Sequence, residues 1–147
     1  MIKDHIRDYA TEAFRLYKRE NGLKGYALKL KRIADDRVKQ SGSSGVSKPT
    51  EMAVMYLQKL EEEHSANIAD LTAVERVLFL LNYKKKIEIV KAIEYVYFVE
   101  AHINIKRCDI QDRVNKASIE IPASERNIYY WLKNARDLFA FERGLRR

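Results

Sequence analysis

The sequence predicts an all-α protein, a helical bundle that ends in a helix-turn-helix, and three observations support this fold class. Hydrophobic residues make up 46% of the 147 positions and charged residues 33%, which is typical of a folded, helix-rich chain. Only five Gly and two Pro are present, too few for the many turns of a β-sandwich. Apolar residues also recur at three- and four-residue spacing along most of the chain, which is the period of an amphipathic helix.

The first 40 residues predict two basic helices. Apolar side chains line one face of the first helix, and Asn21 and Gly22 are expected to end it. In the second helix, Tyr26, Leu30 and Ile33 recur on one face. The segment carries 11 Lys/Arg against six Asp/Glu, and such an excess attracts polyanions such as nucleic acid or an anionic membrane surface. We interpret residues 1–40 as a basic N-terminal helical arm.

A Ser- and Gly-rich segment follows this arm. Its composition offers little to bury and much conformational freedom to lose on ordering, as in a flexible linker. We therefore predict a linker over residues 41–49 and a helical core over residues 50–147. Because each side of the linker has its own apolar stripes, we expect the arm to be separable from the core.

Three helices are predicted in the first part of the core. Pro49 begins one that runs to about His64, because Pro is favoured in a first helical turn. Thr72 and Glu75 have the spacing of a capping box, which predicts that the next helix begins there. Residues 87–99 are apolar around most of the helical circumference and predict a buried central helix. Its aromatic residues are expected in the core: Tyr95, Tyr97 and Phe98.

The C-terminal unit, residues 109–144, is predicted to be a short helix, a turn and a long helix. Asp109 is the expected N-cap of the short helix over residues 109–118. Pro122 lies in the connection and forbids simple continuation of that helix, because it lacks an N–H group and clashes with the preceding turn. The connection is therefore predicted over residues 119–123.

The long helix is predicted over residues 125–143, with Ser124 as its N-cap and Gly144 at its end. Projection at about 100° per residue separates two faces. The predicted core face holds Ile128, Leu132, Ala135 and Phe139. The opposite face and its edges hold Arg126, Asn127, Tyr129, Tyr130, Lys133 and Asn134. These residue types contact base edges or phosphates when the first turns of a recognition helix enter the major groove.

The stretch over residues 121–140 resembles the end of phage and prophage late transcription regulators of the RinA and ArpU type. Proteins of that type are similar in size, mostly helical, and finish in a helix-turn-helix that resembles region 4 of sigma factors. In that pattern a Ser or Thr caps the recognition helix, and an aromatic and a basic residue follow. The matching positions here are Ser124, Tyr129, Tyr130 and Lys133. This chain departs from the pattern in its turn, since five residues separate Ser118 from Ser124.

Catalytic and metal-binding patterns were not found in the sequence. The three His residues share no ligand spacing with Cys108, and no Walker A loop, dinucleotide fingerprint or nucleophile elbow occurs. We therefore expect a protein that is not an enzyme and that needs no cofactor or metal. Cys108 has no second Cys with which to pair, and no apolar run approaches the roughly 18 residues of a membrane span. We expect the cytoplasm of a bacterial host and no membrane partner.

These observations lead to one expected function and two alternatives. We expect a sequence-specific DNA-binding transcription regulator whose partners are double-stranded DNA, RNA polymerase and further copies of the chain. Phosphate contacts are expected from Lys106, Arg107, Arg113 and Lys116. The first alternative is a phage DNA-packaging adaptor, the small terminase subunit, which would form a ring. The second is a helical protein-interaction module that binds no duplex.

Overall fold

The computed structural model describes residues 4–41 and 48–145, and within these stretches the regular secondary structure is all α-helix, with no β-strand. The predicted all-α fold class is thereby confirmed. Residues 42–47, which contain most of the predicted linker, lie outside the described residues. The helices of the described stretches are α1 His5–Arg19, α2 Gly22–Gln40, α3 Pro49–Glu63, α4 Ser65–Tyr83, α5 Ile87–Val96, α6 Arg107–Glu120 and α7 Glu125–Arg143.

The main core lies between α1, α4, α5, α6 and α7. Each of these helices contributes fully buried apolar side chains, among them Phe14, Val77, Ile93, Val114 and Phe139. The ring of Phe14 packs against two other buried rings, with centroid separations of 5.6 Å to Tyr97 and 5.9 Å to Phe139. Aromatic contacts of this kind join the first helix to the last.

The expected separation of residues 1–40 as an arm needs correction for α1. Ala10, Ala13 and Phe14 belong to the same core cluster as the C-terminal helices, and Phe14 is completely buried. The sequence pattern identified the apolar stripe of α1 correctly, but it contained no information on which helices cover that stripe. Residues 1–40 are helical and basic, yet α1 is not detached from the core.

A second, smaller core lies between α2, α3 and the first half of α4. Its buried residues are Tyr26, Leu30, Ala34, Leu60 and Leu71. Helices α2 and α3 run antiparallel. The start of α2 lines one hollow together with the end of α3, and the end of α2 lines a second hollow together with the start of α3. This α2–α3 hairpin packs chiefly on α4.

Two helix boundaries predicted for residues 65–99 are wrong. The helix expected to begin at Thr72 begins at Ser65, and the Thr72 hydroxyl donates to the Ile68 carbonyl at 2.7 Å instead of capping an N-terminus. The central helix, expected to reach residue 99, ends at Val96. The Tyr97 side chain that follows it is buried in the core. Phe98 is half-buried and Tyr95 is 38% exposed, so only part of the aromatic set lies in the core as expected.

The connection between α5 and α6 contains no regular secondary structure, and Arg15 holds it in place. The Arg15 guanidinium is 1% exposed and donates to the carbonyls of Tyr97 at 3.1 Å, Val99 at 3.3 Å and Glu100 at 2.8 Å. It also donates to the carbonyl of Ile103. Burial lowers the pKa of Arg15 below its usual value, and the positive charge of Arg113 lowers it further. The Glu100 carbonyl also accepts from the backbone N–H of Ile103 at 3.2 Å. Arg15 thus ties α1 to four carbonyls of the connection that precedes α6.

Candidate nucleic-acid interface

The C-terminal unit consists of α6, a connection of four residues and α7. Asp109 lies in the first turn of α6, where its carboxylate accepts a hydrogen bond from the backbone N–H of Lys106 at 2.9 Å. The N-cap is therefore Lys106 and not Asp109 as predicted. The first helix extends to Glu120, beyond the expected end at residue 118, and the connection is shortened to residues 121–124.

The shorter connection changes the comparison with the helix-turn-helix pattern. The sequence predicted five residues between the first helix and the N-cap Ser124, because Pro122 marks the place where that helix cannot continue, whereas the structure has three, residues 121–123. The structure adds residues 119 and 120 to α6 and lets the Ile121 side chain enter the core at 6% exposure. The result is a tighter turn than the one expected from the sequence.

Both ends of α7 agree with the predicted caps. The Ser124 hydroxyl accepts a hydrogen bond from the backbone N–H of Asn127 at 3.2 Å. At the other end, Gly144 adopts a left-handed conformation with φ of 74°, which a residue with a side chain would adopt only with strain. The predicted bounds of this helix are confirmed.

One face of α7 is fully buried and the other is open to solvent. The predicted core face is confirmed, since Ile128, Leu132, Ala135 and Phe139 are all buried. Opposite it, Arg126 and Lys133 are exposed and Tyr130 has 62% of its surface exposed. Of the remaining candidates, Asn127 and Tyr129 are exposed and Asn134 is half-buried. We call the exposed set the α7 outer face, defined by Arg126, Asn127, Tyr129, Tyr130 and Lys133.

Two members of the α7 outer face have an acidic side chain nearby. The Lys133 ammonium lies 3.6 Å from the Asp137 carboxylate, one turn later on the same helix. Such an ion pair on the surface contributes little to the free energy of folding, and Lys133 can therefore exchange Asp137 for another partner. Partial burial raises the pKa of Tyr129, and the negative charge of Glu125 raises it further. Tyr129 is therefore a neutral hydroxyl, able to donate and accept hydrogen bonds.

The four residues expected to contact phosphates do not share one environment. Lys106, Arg107 and Lys116 are exposed on or beside α6. The Arg113 side chain is only 11% exposed, donates to the Val96 carbonyl at 3.0 Å and lies 3.9 Å from the Glu100 carboxylate. The expectation for Arg113 is therefore corrected, because its guanidinium is already bound to the end of α5. Nothing in the local sequence around Arg113 indicates this distant partner.

A groove beside the α7 outer face contains basic residues that the sequence did not bring together. It encloses about 630 Å³ between α1, α6 and α7. Arg7 from α1 and Arg136 from α7 line it together with Arg107 and Tyr129, and Asp8 and Glu12 add acidic groups on the α1 side. The Arg136 guanidinium donates to the Tyr97 hydroxyl at 2.8 Å. Arg7 lies about 100 positions before Arg107 in the chain, so no sequence spacing could have predicted this juxtaposition.

The C-terminal end of α7 is anchored to α1 and α4 through the carboxylate of Asp70. Arg143 donates to this carboxylate, and the Tyr9 hydroxyl donates to both of its oxygens at 2.7 and 2.9 Å. The hydrogen bond to Asp70 raises the pKa of Arg143, while burial and then Asp70 raise that of Tyr9. These contacts fix the axis of α7 and hence the direction in which its outer face points.

Comparisons of the chain with family models, curated proteins and solved structures found no match. Among residues 4–41 and 48–145, no group of three or more His, Cys, Asp or Glu residues could hold a metal ion. Within the same residues, no helix is both long and apolar enough to cross a bilayer.

Proposed function

We propose that the chain is a sequence-specific regulator of transcription that binds double-stranded DNA, of the phage or prophage type that its C-terminal sequence resembles. The observation that carries this proposal is the division of α7 into a fully buried face and an outer face of Arg, Asn, Tyr and Lys. In a helix-turn-helix, the second helix lies in the major groove and its first turns contact base edges. The α7 outer face is concentrated in those first turns.

Each member of the outer face has a chemical role in this proposal. Arg126 is suited to a bidentate contact with the O6 and N7 atoms of guanine, and Asn127 to a bidentate contact with adenine. Tyr129 and Tyr130 offer a hydroxyl to base edges or phosphates and a ring to the methyl group of thymine. Lys133, one turn further along the helix, reaches a phosphate after releasing Asp137.

Phosphate contacts account for affinity and for its dependence on salt. Lys106 and Arg107 lie at the start of α6 and Lys116 lies about one turn before its end. All three are exposed and are able to approach the DNA backbone beside the major groove. Arg7 and Arg136 extend this basic surface toward α1. Each cation that neutralises a phosphate releases counterions, and binding weakens as the salt concentration rises.

The remaining parts of the proposal concern partners and location. One recognition helix reads only a few base pairs, so a regulator of this kind acts as a homo-oligomer or together with RNA polymerase. The compartment that fits such a role is the bacterial cytoplasm. The proposal includes no catalytic step and no cofactor.

The experiment that tests the proposal is selection of bound sequences from a random duplex pool with the full chain. A sequence-specific regulator yields a conserved motif, and binding to that motif exceeds binding to scrambled duplex at the same salt concentration. If the chain binds all duplexes equally, the specificity proposed for α7 is wrong. If it binds no duplex even at low salt, the chain is not a DNA-binding protein.

A second candidate, a helical protein-interaction module, is favoured by one separate observation. The rings of Phe79 and Tyr83 on α4 stack at a centroid separation of 6.4 Å and are more than two-thirds exposed. Exposed aromatic side chains that lie together are a common feature of protein-binding surfaces. If the chain binds no duplex in the selection, the protein-interaction module becomes the favoured function, with Phe79 and Tyr83 as its candidate contact residues.

A further inference from the structure

An open apolar groove runs between α2 and α3, and the start of α4 lines one end of it. Near the start of α2 it encloses about 720 Å³ and is lined by Ala27 and Leu28 of α2, Leu57 of α3 and Ile68 of α4. A second hollow of about 550 Å³ continues it toward the end of α2, where Val54 lines the wall. Leu28 is 48% exposed and Val54 52% exposed, so the groove presents apolar surface along the hairpin.

The two walls of this groove carry opposite charges. Along the groove, α2 contributes Lys24, Lys31 and Lys39 against Asp35, whereas α3 contributes Glu61. At the rim itself, Lys24 and Lys31 stand on the α2 side and Glu61 on the α3 side. An apolar stripe between a basic wall and an acidic wall is complementary to a second copy of the same surface that is rotated by a two-fold axis.

We propose that a second copy of this chain docks on the α2–α3 groove and forms a two-fold symmetric dimer. A two-fold axis that runs along the groove places α2 of one protomer over α3 of the other, and these helices are then antiparallel. Lys24 and Lys31 of one protomer face the partner's Glu61, and the apolar stripes meet at the axis. Such an interface is isologous, so every contact occurs twice.

Charge decides between this arrangement and the other symmetric one. A two-fold axis across the groove would place α2 over α2 and α3 over α3, so that the lysines of the two α2 rims would face each other and Glu61 would face no lysine of the α2 rim. Like charges brought together at an interface weaken association and act against the wrong arrangement. The opposite charges of the two walls therefore select the axis along the groove.

The area available is sufficient for a specific dimer. At 15 to 19 residues per helix, the face of the hairpin is about 25 Å long and about 20 Å wide. It therefore covers about 500 Å² per protomer, and about 1,000 Å² in total reaches the lower limit for specific interfaces. The dimer does not depend on the proposed DNA binding, and it is measured without DNA.

The first test is sedimentation equilibrium of the full chain and of three variants with one added charge. Leu28→Asp and Val54→Asp place a charge in the groove, and we expect each to weaken association at least about tenfold. Met55→Asp is the matched control, because Met55 neighbours Val54 on α3 but does not line the groove and is 67% exposed. All three side chains are about half-exposed or more, so we expect the variants to fold. Circular dichroism verifies this.

The second test exchanges the charges at the rim. A chain with Glu61→Lys and a chain with Lys24→Glu and Lys31→Glu should each associate more weakly than the parent, because like charges then face each other. An equimolar mixture of the two should form heterodimers, and a single chain with all three substitutions should regain the parent's association.

The outcomes separate this proposal from its rivals. A chain that is monomeric at high concentration overturns it, as does a dimer that Leu28→Asp and Met55→Asp affect equally. A ring of more than two chains, as a packaging adaptor forms, also overturns it. Failure to find a DNA motif, with the dimer intact, contradicts the proposed function alone.

Discussion

The Arg143 side chain donates from Nε to the Asp70 carboxylate at 2.8 Å and thereby ties the last turn of α7 to α4. The Tyr9 hydroxyl approaches the same carboxylate from α1. One acidic group thus joins three helices at the end of α7 farthest from its proposed contacts with bases. The Asp70 and Arg143 side chains are 11% and 26% exposed, so the pair is largely shielded from water.

Replacement of Asp70 by Ala is expected to lower the free energy of unfolding by about 2 kcal/mol. The variant leaves Arg143 and Tyr9 without their acceptor, and a hydrogen bond to a charged group contributes about 1.5 to 3 kcal/mol. Chemical denaturation followed by circular dichroism measures the loss. Arg76→Ala is the control, because the Arg76 side chain is 65% exposed and lies 3.9 Å from Glu142, and this variant should cost less than about 0.5 kcal/mol. Equal losses in the two variants would mean that Asp70 does not anchor α7.

Replacement of Arg15 by Met is expected to destabilise the protein by at least about 3 kcal/mol, because it removes the donor to the carbonyls of Tyr97, Val99 and Ile103. Arg15→Lys should recover only part of this loss, since one ammonium group cannot replace the planar guanidinium. Urea denaturation measures both. Lys18→Met, an exposed position on the same helix, should leave the midpoint nearly unchanged. An Arg15→Met variant with the same denaturation midpoint as the parent would show that Arg15 does not stabilise the α5–α6 connection.

Deletion of residues 1–40 is expected to abolish cooperative unfolding of the remaining chain. The deletion removes Phe14 and exposes the rings of Tyr97 and Phe139, which pack against it. The point variant Phe14→Ala should cost about 3 to 5 kcal/mol, the range for a large aromatic side chain in a core. Thermal melts test both, with Phe79→Ala as the control, since Phe79 is 71% exposed. A sharp melting transition in the truncated chain would restore the separable arm predicted from the sequence.

Simultaneous replacement of Arg126, Tyr130 and Lys133 by Ala is expected to abolish preference for the selected DNA motif while melting stays nearly unchanged. Separately, Arg126→Ala should cost about 1 to 3 kcal/mol and relax preference at one base pair. Lys133→Ala should instead weaken binding to all sequences and reduce the salt slope by about one unit. Fluorescence anisotropy at several salt concentrations separates these effects.

The matched control for this triple variant removes the same three residue types elsewhere on the surface. Arg32, Lys59 and Tyr83 are exposed on α2, α3 and α4, and their replacement by Ala should leave motif preference intact. If the α7 variant is folded and still binds the motif as tightly as the parent, α7 does not read the DNA.

Much of the fold, and the part of the candidate site on α7, could be predicted from the sequence because the forces that shape them act over a few residues. The caps at Ser124 and Gly144 depend on groups within the same turn. The buried and exposed faces of α7 follow from its 3.6-residue period alone. Helix content is likewise determined by local propensity and by the scarcity of Gly and Pro.

Tertiary structure decided what lies between residues far apart in the chain. The sequence could not indicate that Arg113 would bind the end of α5, that α1 would join the main core, or that Arg7 and Arg136 would line one groove. An apolar stripe predicts that a helix will be buried but not by which partner, because hydrophobic burial has no direction. A guanidinium similarly donates hydrogen bonds to any well-placed carbonyl or anion. Only the packing of the helices determines which of these groups are already bound and which, like Arg126, stay available to a partner.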